Sequence, residues 1–252
     1  MASILIYISS DDRTPESNST SDFIVNYGNN SKLSRVRNLY IKSLSVPNVS
    51  YNIYPASPLN GVPANNVFTY SSGSITITPG QYSMAQLITA ITADAIAVAD
   101  NMAITVNALT GMLTFTTTPA VTYLSDAAGN LMANILGITA SSTATTSFTA
   151  QGLPDLSGIN NVFVSSVALS GQTMQMIQQK LSKPYIIDVP INEAPYGSYL
   201  NYESQHYELD EITGSGYFNL NTIDIQLYDP KGRIIDLHSL EFNITIRAYY
   251  DP

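Results

Sequence analysis

The chain has 252 residues, 44% hydrophobic and only 12% charged, with a net charge of −9 and no cysteine. That much apolar side chain excludes wholesale disorder. An acidic balance with no basic run excludes nucleic acid as the main partner, because phosphate binding needs clustered Lys and Arg; the missing thiols exclude disulfides and thiolate metal sites.

In chain order, Ser3–Ser9 reads as a strand. The opening Met1-Ala-Ser-Ile-Leu-Ile-Tyr-Ile is apolar but short, and it lacks a basic region and a small-residue cleavage site, so no signal peptide is expected. No stretch approaches the length of a membrane span. Asp11–Ser21 is polar and reads as a mobile loop. Phe23–Tyr27, Leu39–Val46 and Tyr51–Tyr54 read as strands, and Pro47-Asn48 turns the chain between the last two. Pro55, Pro58, Gly61 and Pro63 form a breaker-rich connection.

The segment from Ile75 to Ile138 has a different rhythm. Ile75 and Ile77 alternate with threonines, and Pro79-Gly80 ends that strand. Ser83 and Gln86, three apart before an apolar run, spell a capping box, and Tyr82 with Leu87 has the spacing of a hydrophobic staple. Met84, Leu87, Ile88, Ile91 and Ala95 then share one helical face. Ile104 and Val106, a turn over Asn107–Gly111, and Leu113 and Phe115 read as a hairpin. Ser125-Asp126 reads as the start of a second helix carrying Leu131, Met132 and Ile135, with Gly137 as its left-handed stop. Residues 139–151, rich in Ser, Thr and Ala, read as a linker.

Strand-like spacing resumes at Val162–Leu169, Tyr185–Ile191, Ile223–Tyr228 and Phe242–Tyr249. Gly171–Lys183 fits either a helical turn or a long loop. Asp229-Pro-Lys-Gly232 has the residues of a type I turn. Many short strands at fairly regular spacing imply a sandwich or jelly roll. The chain is therefore expected to be mainly β: 1–61 and 151–252 form one discontinuous jelly-roll β-sandwich, interrupted by an inserted small α/β domain at 62–150.

The search for chemistry returns little. His206 and His238 have no partner at ligand spacing, so no metal site is expected. There is no Gly-rich phosphate loop and no nucleophile elbow, so neither a cofactor nor a catalytic residue is assigned. Asp11-Asp12 and Glu208, Asp210 and Glu211 are carboxylate clusters without the alternating ligands of a calcium loop, and read as solvated faces. Four Asn-x-Ser/Thr sequons, at Asn18, Asn29, Asn48 and Asn243, are chance matches in an Asn- and Ser-rich chain. The tyrosine-rich segment Tyr196–Tyr207 stands out. Tyr196, Tyr199, Tyr202 and Tyr207 suit either stacking on sugars or burial in a protein interface, and amphipathic tyrosines are enriched in interfaces.

Three segments carry a resemblance. Ile223-Asp-Ile-Gln-Leu-Tyr-Asp-Pro-Lys-Gly-Arg-Ile-Ile-Asp-Leu, followed by Phe242–Tyr250, resembles the closing strands of the penton or minor capsid proteins of virophages and Polinton-like viruses. Ser43–Tyr54, with Val-Pro-Asn and Tyr-Asn-Ile, is similar to an early strand of that family. The Pro79-Gly80-Gln-Tyr82 helix start and the Leu136-Gly137-Ile138 end resemble an inserted module of such proteins, with Ile138 where Phe is frequent. The resemblance implies a structural virion protein made in the host cell cytoplasm: a homopentamer at icosahedral vertices, beside double-jelly-roll major capsid protein subunits. It also implies an insertion facing outward, towards a host surface. Two alternatives are a virion spike or receptor-binding protein and a jelly-roll carbohydrate-binding protein; neither needs a catalytic set.

Overall fold

A computed structural model of the protein describes residues 2–56, 63–126, 131–169, 185–191, 194–203, 211–230 and 232–251. The strands begin with β1 (Ala2–Ser9), β2 (Asp22–Asn26) and β3 (Val36–Pro47). They continue through β4 (Val67–Tyr70), β5 (Gly73–Thr76), helices α1 (Met84–Thr92) and α2 (Ala95–Ala99), β6 (Ala103–Val106), β7 (Leu113–Val121), helix α3 (Leu131–Ile135) and β8 (Thr145–Thr149). The last six are β9 (Asn161–Ser165), β10 (Tyr185–Pro190), β11 (Tyr199–Glu203), β12 (Glu211–Phe218), β13 (Thr222–Tyr228) and β14 (Asn243–Tyr250). They group into two compact units, Met1–Ser50 with Ile159–Pro252, and Tyr51–Gly158.

The discontinuous unit is built on two antiparallel sheets. One runs β1-β14-β3, with β11 and β12 sharing the far edge of β3; the other runs β10-β9-β13-β2. With β11 and β12 taken as one interrupted strand, the eight strands of this unit divide four and four between the sheets in jelly-roll order, successive strands changing sheet except at the β9–β10 pair. The first strand pairs with the last, from Ala2 opposite Tyr250 to Ser9 opposite Asn243, so the register closes only when the whole chain is present.

The period of two supplies the core. Ile6, Ile8, Leu39, Ile41, Leu44, Val46, Ile244, Ile246 and Ala248 from one sheet meet Phe23, Val25, Val162, Val164, Val189, Ile223, Ile225 and Leu227 from the other. Burial of each large aliphatic stabilises by about 1.5–3 kcal/mol. Strand β9 is buried on both faces: Phe163 turns away from the main core to pack on Tyr185 and Tyr228. It stops at Ser165 rather than Leu169, because the Asp224 carboxylate accepts the amides of Val167 and Ala168 and folds the chain into a turn. The Asp11–Ser21 segment is pinned rather than loose, with Thr14 N–H donating to the Ile24 carbonyl and Asn18 N–H to that of Asp22. The expected turn at Asp229 forms, with Gly232 N–H donating to the Asp229 carbonyl at 2.9 Å. Residues 171–183 lie outside the described set.

The unit 51–158 has its own core of Phe68, Ile75, Leu87, Ile91, Leu113, Leu136 and their neighbours. It is wider than the expected 62–150. Asn52 explains one end of the difference: its side chain accepts from Tyr82 N–H and donates to the carbonyls of Tyr82 and Leu156, tying 52 and 156 to the same module. Tyr51–Tyr54 is accordingly reduced to a single bridge, Ile53 with Gly80. Strand β4, unmarked in the sequence reading, pairs with β5. The 139–151 segment is not a plain linker, since β8 within it pairs with β7 to complete a three-stranded sheet, β6-β7-β8.

Local signals dominate here. The Ser83–Gln86 box is complete, with Ser83 Oγ accepting from Gln86 N–H and Gln86 Oε1 accepting from Ser83 N–H. The helix does not continue to Ala95. It stops at Thr92, and Asp94 caps a new short helix by accepting from Ile96 N–H at 2.9 Å. Asp is a stronger cap than helix interior residue, which is why the apolar spacing misleads at this point. Helix α3 is described from Leu131, and residues 127–130 after Asp126 lie outside the described set. Its end is a Schellman motif: Ile138 N–H donates to the Ala133 carbonyl, Gly137 N–H donates to that of Asn134, and Gly137 sits at φ +77°.

Candidate assembly surface

The tyrosines singled out by the sequence are separated by the strand that carries two of them. Strand β11 pairs antiparallel with β3, setting Tyr199 opposite Pro47, Leu200 opposite Val46 and Tyr202 opposite Leu44. Val46 and Leu44 face the core, so Leu200 and Tyr202 pack inward, while Tyr199, Asn201 and Glu203 face out. Tyr199 is 42% exposed and Tyr196, in the preceding turn, 46%. That turn is held to the end of β3: Asn48 N–H donates to the Ser198 carbonyl, Gly197 N–H to the Asn48 carbonyl, and Asn48 Nδ2 to the Ala194 carbonyl. Gly197 takes φ +83°, a value that suits glycine. Tyr207 and His206 lie outside the described residues.

Tyr199 belongs to a broader face that the sequence did not disclose. Register places Leu5 opposite Arg247 and Arg247 opposite Tyr40 across β1, β14 and β3; the next row outward is Tyr7, Thr245 and Ser43. Leu5 and Tyr7 are exposed, and Tyr40 packs edge-on against Tyr249 at 5.4 Å. Polar groups on this face bond sideways to each other: Tyr7 Oη donates to Asn243 Oδ1 at 2.6 Å, and Ser45 Oγ donates to Asn201 Oδ1 at 2.8 Å. Near the start of β3, Arg37 pairs with Asp251 at 2.7 Å, and Tyr217 Oη accepts from Arg37 and donates to Asp251. The Tyr217 hydrogen bond, with Arg37 beside it, holds the Asp251 carboxyl below its ordinary range. The face is thus rich in tyrosine, with Arg247, Glu203 and the Arg37–Asp251 pair as its charges, and exposed tyrosine suits a protein contact. Leu5 and Tyr7 escaped the sequence reading because Ile4-Leu5-Ile6-Tyr7-Ile8 is apolar at both parities.

Of the remaining candidates, Asp11-Asp12 and His238 sit in turns, and Glu208 and Asp210 lie outside the described residues. Asp11 and Asp12 form a short 3-10 turn capped by Ser9 Oγ. His238 sits in a turn at φ +50°, with Nδ1 3.5 Å from Asp236. Arg233, missed in the sequence, donates its amide and Nε to the buried Asp229 carboxylate and locks the turn before β14. Among the described residues no three His, Asp or Glu side chains gather closely enough to hold a metal ion, and no helix is long and apolar enough to cross a membrane.

No family model matches the sequence, and no curated protein does. Among solved structures, the chain is similar to the mavirus penton protein, known as a crystal structure of the SeMet-labelled protein. The likeness covers 100% of both chains, with a TM-score of 0.48 and 10% sequence identity.

Proposed function

We propose that this protein is a structural subunit of a virus particle: a capsid protein that closes into a homopentamer at the icosahedral vertices, next to double-jelly-roll major capsid subunits. The observation that carries the reading is the outer face of the β1-β14-β3-β11 sheet. It presents Leu5, Tyr7 and Tyr199 to solvent on a jelly-roll frame, with Arg247 and Glu203 on the same face. A closed ring needs one flank of each subunit to meet a different flank of the next, and rigid, tyrosine-bearing sheet surface suits such heterologous contacts. The resemblance of Ile223–Leu237 and Phe242–Tyr250 to vertex proteins points the same way. In this reading the unit 51–158 serves as the exposed module.

Sedimentation of the purified chain tests it. A mass of five copies is expected, falling to one copy in the double variant Leu5→Asp, Tyr199→Asp. A monomeric parent that binds glycans would instead establish the carbohydrate-binding alternative.

A second reading, attachment to a host surface, has one specific observation behind it. Leu109, at the tip of the β6–β7 turn, is 98% exposed. Exposed Leu153 approaches the same turn, its Cδ2 lying 3.2 Å from where a Cβ on Gly111 would stand. Particles carrying Leu109→Ser with Leu153→Ser should assemble normally and attach to cells less well. Unchanged attachment would remove this reading and leave the capsid role intact.

A further inference from the structure

A sheet edge leaves a row of backbone donors and acceptors, which native proteins blunt or cover. In the sheet β10-β9-β13-β2 both edges are managed within the chain. Thr14 N–H donates to the Ile24 carbonyl at 2.7 Å, and Ser17 Oγ accepts from Ile24 N–H at 2.9 Å, so the segment after β1 covers β2. Strand β10 is blunted by Asp188, by Pro190 and by a register break between Tyr185 and Ile187. Strand β1, an edge of the other sheet, has none of these devices. It reads Ala-Ser-Ile-Leu-Ile-Tyr-Ile-Ser, without charge, proline or glycine, and its register with β14 is unbroken from Ala2 to Ser9. A long, regular, apolar edge of this kind aggregates unless something pairs with it.

The direction of its free groups follows from the ladder. One residue past β1, Ser10 N–H donates to the Phe242 carbonyl at 2.9 Å, so Ser10 and Phe242 form a bonded pair in the same register. Antiparallel pairs alternate between bonded and unbonded. The even residues of β1 therefore bond to β14, and Ser3, Leu5 and Tyr7 turn their amides and carbonyls outward. Among the described residues the Tyr7 carbonyl alone of these has a partner, the Tyr27 hydroxyl at 2.5 Å. The far edge of the same sheet is built alike. Asn48 N–H donates to the Ser198 carbonyl, so that pair is bonded, and the next, Tyr199 with Pro47, is not, proline having no N–H. Tyr199, Asn201 and Glu203 thus turn their backbone groups away from β3.

The two edges match each other. On both, the residues with outward backbone also carry the exposed side chains, Ser3, Leu5 and Tyr7 on β1 and Tyr199, Asn201 and Glu203 on β11. Joining them sets outer face beside outer face. Direction matches too, because β1, β14, β3 and β11 alternate. A copy turned about an axis along the strands brings its β11 antiparallel to β1. Resting on the capsid reading above, we propose that copies associate by continuing this sheet: Ser3–Tyr7 of one copy pairs with Tyr199–Glu203 of a second, with Tyr7 beside Tyr199. Leu5 then opposes Asn201, and Ser3 opposes Glu203. The contact runs from one edge to the opposite edge, the heterologous geometry that a closed ring requires. Side-by-side tyrosines on one face add to the stability of such a ladder.

The test is amide hydrogen exchange of the full chain, read residue by residue and alongside its sedimentation. In the five-copy assembly the amides of Ser3, Leu5, Tyr7, Tyr199, Asn201 and Glu203 should exchange as slowly as those of Ile4 and Ile6, which bond within the chain. The double variant Ser3→Pro, Asn201→Pro removes two outward amides, keeps Leu5, Tyr7 and Tyr199, and leaves the internal ladders intact. It should sediment as one copy with an unchanged thermal melt. Five copies with fast exchange at those six amides would overturn the pairing and leave the capsid reading standing, as would a double variant that still forms five copies. A parent of one copy with fast edge exchange would overturn both. The parent's exchange decides even if the variant does not fold.

Discussion

The jelly-roll unit and the unit 51–158 reach stable cores by different routes. The roll holds all ten Lys and Arg residues, and its core is mostly aliphatic, with Phe23 and Phe242 tilted together at 6.2 Å. The unit 51–158 has no cation and is threaded by aromatic rings: Phe68 stacks on Tyr70, Tyr70 on Tyr123, and Tyr123 on Phe148, with Phe115 packed among them. Their connectivity differs as much. The roll pairs residue 2 with residue 250, whereas β4 pairs with β5 and β6 with β7 across short turns. Sheet closure at long sequence separation depends on the whole chain, while hairpins and capped helices are specified nearby. The lesson is that a module with local instructions can sit between two strands of a roll without disturbing the long-range pairing that defines it.

The largest effects should come from core truncation, and they should stay in the unit that is cut. Phe115→Ala is expected to cost about 3–5 kcal/mol and Ile246→Ala about 2–5 kcal/mol, both being fully buried. Hydrogen exchange should show lost protection in 51–158 for the first and in the roll strands for the second. Equal loss in both units from either variant would break the comparison.

Next comes Gly137→Ala. At φ +77° an L side chain is strained, and a Cβ there would stand 2.2 Å from the Gly152 carbonyl oxygen, which is backbone and has no rotamer to change. Strain and overpacking together predict a loss of about 3 kcal/mol in the unit 51–158. A thermal melt with an unchanged transition for that unit would mean that the Gly137–Gly152 approach is not tight in solution.

Ser83→Ala should be milder, about 1 kcal/mol, since it removes one cap of α1 and leaves the Gln86 amide unpaired. The melting curve checks it, and parity with the parent would show that the cap is dispensable. Smallest of all is Tyr199→Ser, expected to move stability by no more than about 0.5 kcal/mol because the side chain faces solvent. Its effect should fall on self-association, read by sedimentation; a clear stability loss would place Tyr199 in the fold rather than on a contact surface.

Residues alone determined a good deal. The Ser83–Gln86 box, the Gly137 stop, the Asn107–Gly111 turn and the Asp229–Gly232 turn are each written within a few positions, because caps and tight turns depend on φ values and on side chains that reach their own backbone. Alternation in Ile223–Leu227 and Ile244–Ala248 likewise marked core strands, since the pleat sends every second side chain to one face. Tertiary structure decided the rest. Only sheet register makes a face of Leu5, Tyr7, Tyr40 and Tyr199, residues far apart in sequence, and only it turns Tyr202 inward beside an outward Tyr199. The capture of residues 51–56 and 151–158 by the second unit depends on Asn52 reaching Tyr82 and Leu156, a contact that no local spacing announces.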